Sequence, residues 1–240
     1  MNRALIFAGG KGVRMKMNGD VPKQFLEING KSIIIHTLEK FQRNKDIDDI
    51  VVICIEPWIP VLEEQVRIFG IKKVSKILPG GSTGFDSRLI GLQYLVDTKQ
   101  SEDDIVLIHD GVRPFITDGL ISANIEVAKA NGNAITVANA TETIMYKKNG
   151  SRDDILDRTY CLLARAPQTF KLNRIFELYK RAIEDQKTEI IDSASMAYHY
   201  GDNLYYVEGP QENIKVTTPI DYYCACGILN SKETELKKFQ

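Results

Sequence analysis

Short runs of consecutive apolar residues alternate along the chain with longer stretches whose apolar residues recur at helical spacing. The short runs predict strands at Ala4–Ala8, Ile50–Ile55, Ile105–His109, Ala134–Ala138 and Leu204–Val207. The longer stretches predict helices at Ser32–Arg43, Asp86–Asp97, Asp118–Asn131, Asn173–Asp185 and Asp192–Tyr200. Unbroken apolar strands are typical of a parallel sheet that is buried on both faces. The alternation therefore predicts an α/β fold with a sheet wound on itself.

Residues 139–162 break this alternation and predict a β-hairpin arm. Thr141–Lys148 has the pattern of a strand, Asn149-Gly150 that of a tight turn, and Ile155–Cys161 that of a returning strand. Asn-Gly between two extended runs is the strongest short-range hairpin signal. A two-stranded arm cannot bury itself. We therefore expect this arm to pack on another surface, for which a second subunit is the natural candidate.

Composition and charge exclude several classes of protein. The chain has 240 residues, and 31 Lys and Arg against 32 Asp and Glu give a formal net charge of −1. This balance lacks the positive excess that sequence-independent nucleic-acid binding needs. The run Ala4–Ala8 is too short for a membrane span or a signal peptide. Four cysteines do not make a disulfide framework at this length, so we expect free thiols in a reducing cytoplasm.

No linker or internal repeat divides the chain, so residues 1–240 are predicted to form a single domain. The charged tail, residues 231–240, is expected to fray.

A glycine-rich loop follows the first predicted strand directly. Gly9, Gly10 and Gly12 let the backbone turn tightly and present N–H groups to a phosphate chain. Arg14 and Lys23, which follows Pro22, add a guanidinium and an ammonium group behind this loop. Loop and cations together favour binding of a triphosphate.

Two better-known glycine motifs do not fit this loop. A dinucleotide-binding fingerprint needs Gly or Ala where Met15 stands. A P-loop needs Ser or Thr after the lysine, and Lys11 is followed by Gly12.

The loop sequence, A-G-G-x-G-x-R-M followed by P-K-Q-F, resembles that of the cytidylyltransferases that act on small polyol phosphates. The resemblance extends over nearly the whole chain, through Gly80-Gly81, His109–Phe115, Glu142–Ile144, Asp157-Arg158, Pro167–Phe170 and Asn213–Thr217. It implies a Rossmann-like α/β domain whose β-arm reaches into the partner subunit of a homodimer.

The resemblance also implies roles for individual residues. Arg14, Lys23 and Lys215 would act as catalytic cations around the reacting phosphates. The nucleotide would be held by Ala8, Gly9, Gly10, Gly12, Gly80, Gly81 and Ser87. The polyol phosphate would be bound by Asp110, Arg113, Thr143 and Arg158, the last two from the neighbouring subunit's arm. Mg²⁺ would accompany CTP, with Asp110 as the candidate protein ligand.

Four positions depart from the family pattern. Ser82-Thr83-Gly84 occupies the stretch where the family usually carries an arginine, and Arg88 comes later. Gly111 replaces a common alanine, and Ala166 replaces the usual threonine before Pro167. Asp192-Ser193-Ala194 also differs from the usual sequence. The missing arginine leaves one nucleotide contact in doubt.

The implied reaction is attack of a polyol phosphate oxygen on the α-phosphorus of CTP, with release of pyrophosphate. The nucleophile is already an anion, which agrees with a chain that has only three histidines, His36, His109 and His199. His36 and His109 are predicted to be packing residues. Positive groups and Mg²⁺ are the expected catalysts.

Several alternatives remain open at this stage. D-ribitol 5-phosphate is the favoured acceptor, and 2-C-methyl-D-erythritol 4-phosphate is the alternative. The chain could also use another nucleotide, or bind a nucleotide without turnover. Trp58 could be an apolar lid or a packed anchor.

Overall fold

The computed structural model describes residues 1–10, 21–99, 101–147 and 153–238, with side chains as far as residue 231. Its strands are β1 (Asn2–Ala8), β2 (Glu27–Ile28), β3 (Lys31–Ser32), β4 (Asp49–Cys54), β5 (Val74–Pro79), β6 (Ile105–Asp110), β7 (Asn133–Asn139), β8 (Ile144–Tyr146), β9 (Asp154–Leu156), β10 (Leu162–Lys171) and β11 (Tyr206–Glu208). Its helices are α1 (Ile33–Arg43), α2 (Ile59–Ile68), α3 (Gly84–Asp97), α4 (Asp118–Asn131), α5 (Leu172–Glu184), α6 (Ser193–His199) and α7 (Pro219–Lys238).

Seven strands form the central sheet, in the order β11-β7-β10-β6-β1-β4-β5. β1 lies parallel to β4 and β6, β4 parallel to β5, and β7 parallel to β11. β10 runs antiparallel to both of its neighbours, β6 and β7. The mostly parallel, Rossmann-like α/β sheet predicted above is therefore confirmed.

Alternate side chains of β1 divide the core into two layers. Ala4, Ile6 and Ala8 pack on one face of the sheet with residues of α1, α2 and α4. Leu5 packs on the other face with residues of α3, α5 and α6. Successive side chains of a strand point to opposite faces, so a strand covered on both faces must be apolar throughout.

All five predicted strands and five predicted helices are present, with ends that differ by no more than two residues. The prediction missed β2, β3, β5, β10, α2 and α7. β5 is a half-exposed edge strand without a continuous apolar run, and β10 contains Pro167, a residue that argues against a strand. α7 continues through the tail as far as Lys238, and the expected fraying of residues 231–240 stays a prediction. Its Glu, Leu and Lys residues favour a helix.

The predicted arm is present as a separate two-stranded antiparallel sheet made of β8 and β9. Ile144 pairs with Leu156, and Tyr146 pairs with Asp154. Met145 and Ile155 are 65% and 71% exposed. The Asn149-Gly150 turn lies outside the described residues. The arm thus presents apolar side chains that this chain does not cover.

All four cysteines are free thiols, as expected, and burial raises the pKa of Cys54 to about 12. In the described part of the chain, no helix is both long enough and apolar enough to span a bilayer.

His109, near the end of β6, is a buried packing residue, as predicted. Its ring lies 5.1 Å from the ring of Phe41, and its Nε2 is 3.3 Å from the carbonyl oxygen of Arg113. Burial lowers the pKa of His109 to about 4, and this effect outweighs the nearby Asp110 carboxylate, which raises it. The charges of Arg113 and Lys215 also lower it. The imidazole is therefore neutral at neutral pH.

His109 should make the free energy of unfolding depend on pH. Its ordinary pKa is near 6.5, so between pH 6.5 and about 4 the unfolded chain binds a proton that the folded chain does not. Stability is complete above this window and falls as the pH is lowered through it, by up to about 3 kcal/mol at about 1.4 kcal/mol per pKa unit. Denaturant unfolding at several pH values should show a shallower slope for His109→Gln. The control His199→Gln, at an exposed site, should keep the wild-type slope; equal slopes for all three proteins would contradict the prediction.

Candidate active site

A cavity of about 600 Å³ lies at the carboxyl ends of β1 and β6. In α/β sheets, ligands bind at this end of the strands. Seven of the predicted site residues line it: Gly9, Gly10, Gly81, Ser87, Asp110, Arg113 and Lys215. These residues come from distant parts of the chain, so the fold brings together most of the described candidates.

One wall of the cavity joins the glycine loop to the start of α3. Thr83 caps α3, since its side chain accepts a hydrogen bond from the Asp86 N–H, and the Asp86 carboxylate accepts one from the Thr83 N–H. Ser87 Oγ accepts from the Gly81 N–H at 3.1 Å and donates to the Thr83 carbonyl at 2.9 Å. It also lies 3.8 Å from the position that a Cβ on Gly9 would occupy. Ser87 therefore binds one of the two glycine segments that were predicted to hold the nucleotide and lies close to the other.

The opposite wall is built on the carboxylate of Asp110, at the end of β6. Lys215 Nζ lies 2.6 Å from Asp110 Oδ1, and Arg113 Nε lies 2.8 Å from Oδ2. Burial raises the pKa of Asp110, but the positive charges of Lys215 and Arg113 outweigh burial and hold the pKa well below its usual range. Asp110 is therefore an anion at neutral pH, and two cations face the cavity beside it.

Lys215 is held in this position by the segment that carries it. Arg113 donates to the Asn213 carbonyl at 2.8 Å, and Asn213 donates its side-chain N–H to the Ala166 carbonyl at 2.8 Å. Just beyond Lys215, the Asp221 carboxylate accepts hydrogen bonds from the N–H groups of Thr217 and Thr218. These bonds fix the backbone on both sides of Lys215.

Lys23 does not line the cavity. It begins a short 3-10 turn, Lys23–Phe25, in which Gln24 donates to the Ala8 carbonyl at 2.6 Å. Phe25 stacks on Trp58 with ring centroids 4.6 Å apart, so Trp58 is a packed anchor for this turn. The charge of Lys23 is close enough to Asp221 to contribute to the lowering of its pKa, along with hydrogen bonds from the Thr218 and Thr217 N–H groups, against the effect of burial.

Other candidates lie beneath the cavity or outside the described residues. Ala8 is buried and accepts the bond from Gln24, and Gly80 donates its N–H to the Cys54 carbonyl at 2.8 Å. Gly12 and Arg14 fall outside the described residues, so their roles stay predictions.

The arm candidates are not among the residues that line this cavity. Thr143 and Arg158 are exposed, and Arg158 donates to the Thr141 carbonyl at 2.9 Å. Neither lines the cavity of its own chain. The prediction that they serve a neighbouring subunit therefore stays open.

Sequence analysis assigned no role to four polar residues that line the cavity: Arg88, Arg165, Gln168 and Asp192. Gln168 donates to Asp192 at 3.1 Å and accepts from the Ala194 N–H, which joins β10 to the start of α6. Arg165 is held by the carbonyls of Pro210 and Gln211, and burial and the charge of Arg113 lower its pKa. The Pro167-Gln168 motif marked this part of the chain, but only the fold shows that it faces Asp110.

Gly111 is explained by close packing. A Cβ at this position would lie 2.5 Å from the Ile34 side chain and 2.9 Å from the Phe7 carbonyl oxygen. No larger residue fits there without a shift of the β1 backbone or of Ile34. The departure from alanine is therefore linked to the packing of α1 beneath the cavity.

The described residues contain no cluster of three or more His, Cys, Asp or Glu side chains that could hold a metal ion. Mg²⁺ in nucleotide sites needs only one or two carboxylates, because phosphates and water complete its octahedral shell. Asp110 is a carboxylate that stays ionised and lines the cavity. Asp110 is therefore a carboxylate of the kind that such a site needs, and the binding of Mg²⁺ stays a prediction.

The chain is similar to known proteins along nearly its whole length. A family model described as 2-C-methyl-D-erythritol 4-phosphate cytidylyltransferase (IspD) matches residues 3–231. The ribitol-5-phosphate cytidylyltransferase of Vibrio parahaemolyticus is 47% identical over 234 residues, covering 97% of this chain and 98% of that protein. The 2-C-methyl-D-erythritol 4-phosphate cytidylyltransferase of Clostridium novyi is 37% identical over 235 residues, covering 97% and 98%.

Among solved structures, the 4-diphosphocytidyl-2C-methyl-D-erythritol synthase of Anaerococcus prevotii superimposes with a TM-score of 0.82 at 25% identity, covering 95% of this chain and 96% of that one. Sequence and fold agree over nearly the full length of the chain. The chain belongs to the 2-C-methyl-D-erythritol 4-phosphate cytidylyltransferase (IspD) family, and it is a nucleotidyltransferase.

Proposed function

We propose that this enzyme transfers CMP from CTP to D-ribitol 5-phosphate, forming CDP-ribitol and pyrophosphate. The observation that best supports cytidylyl transfer is that the ion-paired set of Asp110, Arg113 and Lys215 lines one cavity together with the glycine segments. The choice of ribitol rests on the relatives, because the 47% identical protein is named for ribitol 5-phosphate and the relative named for methylerythritol phosphate is 37% identical.

The main obstacle to this reaction is electrostatic. An oxygen of the polyol phosphate must approach the α-phosphorus of CTP, and both groups are anions. Arg113 and Lys215 carry two positive charges and Asp110 one negative charge, which leaves an excess positive charge at this end of the cavity. Fixed charges in a partly buried site stabilise the negative charge that develops in the transition state.

No side chain is needed to remove a proton from the nucleophile. The second pKa of a phosphate monoester is near 6, so the attacking oxygen is already ionised at neutral pH. His109, which lines the cavity, is neutral and buried and is not required as a base. The new P–O bond forms as the bond between the α- and β-phosphates breaks, and pyrophosphate leaves with that electron pair. Catalysis then consists of positioning and charge stabilisation.

We propose that Mg²⁺ accompanies CTP and that Asp110 is the protein group nearest to it. The ion would neutralise part of the triphosphate charge when bound.

The substrate assignment is tested by pyrophosphate release. CTP, UTP, ATP and GTP are each supplied with Mg²⁺ and either D-ribitol 5-phosphate or 2-C-methyl-D-erythritol 4-phosphate. We expect the highest kcat/KM with CTP and ribitol 5-phosphate. A higher kcat/KM with methylerythritol phosphate would overturn the acceptor assignment and leave the mechanism intact. Tight CTP binding without pyrophosphate from either acceptor would instead support a binding module without turnover.

Lys215→Ala should lower kcat by roughly 10²–10³, the scale expected for loss of one charge-stabilising donor. The melting temperature should change little, because Arg113 still pairs with Asp110. Lys129→Ala, at an exposed position on α4, is the matched control and should keep wild-type kcat. A lower melting temperature with unchanged kcat would show that Lys215 is only structural.

The same loss of kcat is predicted for Lys23→Ala, because the resemblance assigns this lysine to the reacting phosphates, although it does not line the cavity. Unchanged kcat in this variant would remove Lys23 from the active site.

We further propose a cytoplasmic homodimer in which each arm completes the partner's site. The exposed apolar side chains Met145 and Ile155 on the arm support this assembly, since such residues need cover.

Subunit complementation tests the shared site. A heterodimer is purified by two different tags, with Lys215→Ala in one subunit and Arg158→Ala in the other. If Arg158 acts across the interface, one site carries both changes and the other is intact, so about half of the wild-type activity should return. If both residues serve their own subunit, each site carries one change and no activity returns. The two homodimeric variants are the controls.

A further inference from the structure

Arg88 lines the cavity, and its guanidinium group forms few hydrogen bonds with the other described residues. It donates to the Ile191 carbonyl at 2.6 Å, while its buried Nε has no hydrogen-bond partner. Its other close neighbour is the Tyr179 hydroxyl, whose pKa is raised by burial and partly lowered by the Arg88 charge. Both neighbours are neutral, so no group among them compensates the positive charge of Arg88.

The nearby carboxylates are engaged elsewhere. Asp192, which lines the same cavity, accepts hydrogen bonds from the Ser195 N–H and from Gln168. Asp86, in the first turn of α3, accepts from Ser82 and from the Thr83 N–H. Within the residues that the structure describes, neither carboxylate forms an ion pair with Arg88.

The position of Arg88 adds an electrostatic cost. Its side chain extends back toward the start of α3, where helical side chains normally point. The amino-terminal end of a helix carries partial positive charge, so a cation is unfavourable there. Arg88 therefore keeps a positive charge in an unfavourable place and has no anionic partner there among the described residues. An electron-rich oxygen of a ligand would supply that partner.

Gly84 makes this arrangement possible. It precedes Arg88 by four residues, so both lie on the same face of α3. A Cβ at Gly84 would lie 3.7 and 3.8 Å from the two terminal nitrogens of the guanidinium. A methyl group would just fit at this distance, but a longer side chain would occupy the space that the guanidinium fills.

The surroundings of Arg88 indicate which substrate it contacts. Ser87 is its neighbour in sequence and connects Gly81 to the region of Gly9. Asp110, Arg113 and Lys215, which the proposed function assigns to the reacting phosphates and the polyol phosphate, lie at the ends of other elements.

We propose that Arg88 binds an oxygen acceptor of the nucleotide, either a phosphoryl oxygen or the base carbonyl, and that Gly84 keeps the space for its guanidinium. This inference rests on the proposed function, because it takes the ligand of the cavity to be CTP.

The test compares CTP binding, measured by calorimetry without the polyol phosphate, in the wild type, Arg88→Met and Arg88→Lys. Arg88→Met should weaken CTP binding by about 10- to 100-fold, as expected for the loss of a hydrogen bond to a charged group. Arg88→Lys should retain part of the affinity, because the charge remains and the planar fork is lost. Cytidine separates the two oxygen sources: its binding weakens equally if the base is contacted, and is unchanged if a phosphate is contacted.

Two variants at Gly84 test the same contact without removing Arg88. Gly84→Ala should bind CTP within about twofold of the wild type, and Gly84→Leu should lose affinity as Arg88→Met does, since charged hydrogen bonds depend on geometry. Arg67→Met, on the exposed surface of α2, is the arginine control and should bind CTP normally.

CTP binding by Arg88→Met within twofold of the wild type would overturn the proposal. A rise in KM for the polyol phosphate with unchanged KM for CTP would also overturn it, as would a lower melting temperature with normal CTP affinity. If the wild-type protein does not bind CTP, the proposed function fails as well. If the wild type binds CTP and Arg88→Met binds it equally well, only the proposal for Arg88 fails.

Discussion

The candidate active site depends on the carboxylate of Asp110, because this group holds two cations side by side that would otherwise repel each other. Lys215 and Arg113 approach its two oxygens at 2.6 and 2.8 Å. The position of Asp110 is set in turn by β6, a central strand whose preceding residues are all buried. The carboxyl end of a buried central strand therefore fixes the place where positive charge accumulates.

The same interaction organises a second part of the chain. Arg113 reaches the backbone at Asn213, Asn213 reaches Ala166, and Asp221 orders the turn after Lys215. The segment that carries Lys215 is thus tied to β10 and to the turn after β6 by the chain's own hydrogen bonds. A charge that is already in position needs no reorganisation during the reaction, and this is the main source of catalytic power in sites of this kind.

The sequence predicted the elements that are apolar without interruption, and it missed those whose burial is partial. β4 is buried at every position and was predicted within one residue at each end. β10 was missed because Arg165 and Pro167 interrupt its pattern, although its later half pairs with both β6 and β7. Part of β10 is polar because it faces the cavity, and yet the strand lies inside the sheet. The local pattern of apolar and polar residues cannot reveal such a strand.

Candidate site residues could be predicted where they belong to a sequence motif. They could not be predicted where only the packing of distant elements brings them to the site. Asp110, Arg113 and Lys215 belong to runs that could be recognised in the sequence, and the structure brings them together. The placement of Gln168 against Asp192 depends on the meeting of β10 and α6, which no local signal encodes.

Arg88 shows a further limit of position-by-position comparison. Compared by position alone, the stretch Ser82-Thr83-Gly84 stands where the resemblance implies an arginine, and it would count as a lost contact. On a helix, however, residues four apart share one face, and a long side chain at the second position can reach the space above the first. The Arg88 guanidinium lies 3.7 Å from where a Cβ on Gly84 would be, so the missing charge and the later arginine occupy one region of the cavity. Binding of the nucleotide depends on where the charged group lies in space. An arginine that is moved by one helical turn in the sequence can place its guanidinium in almost the same position.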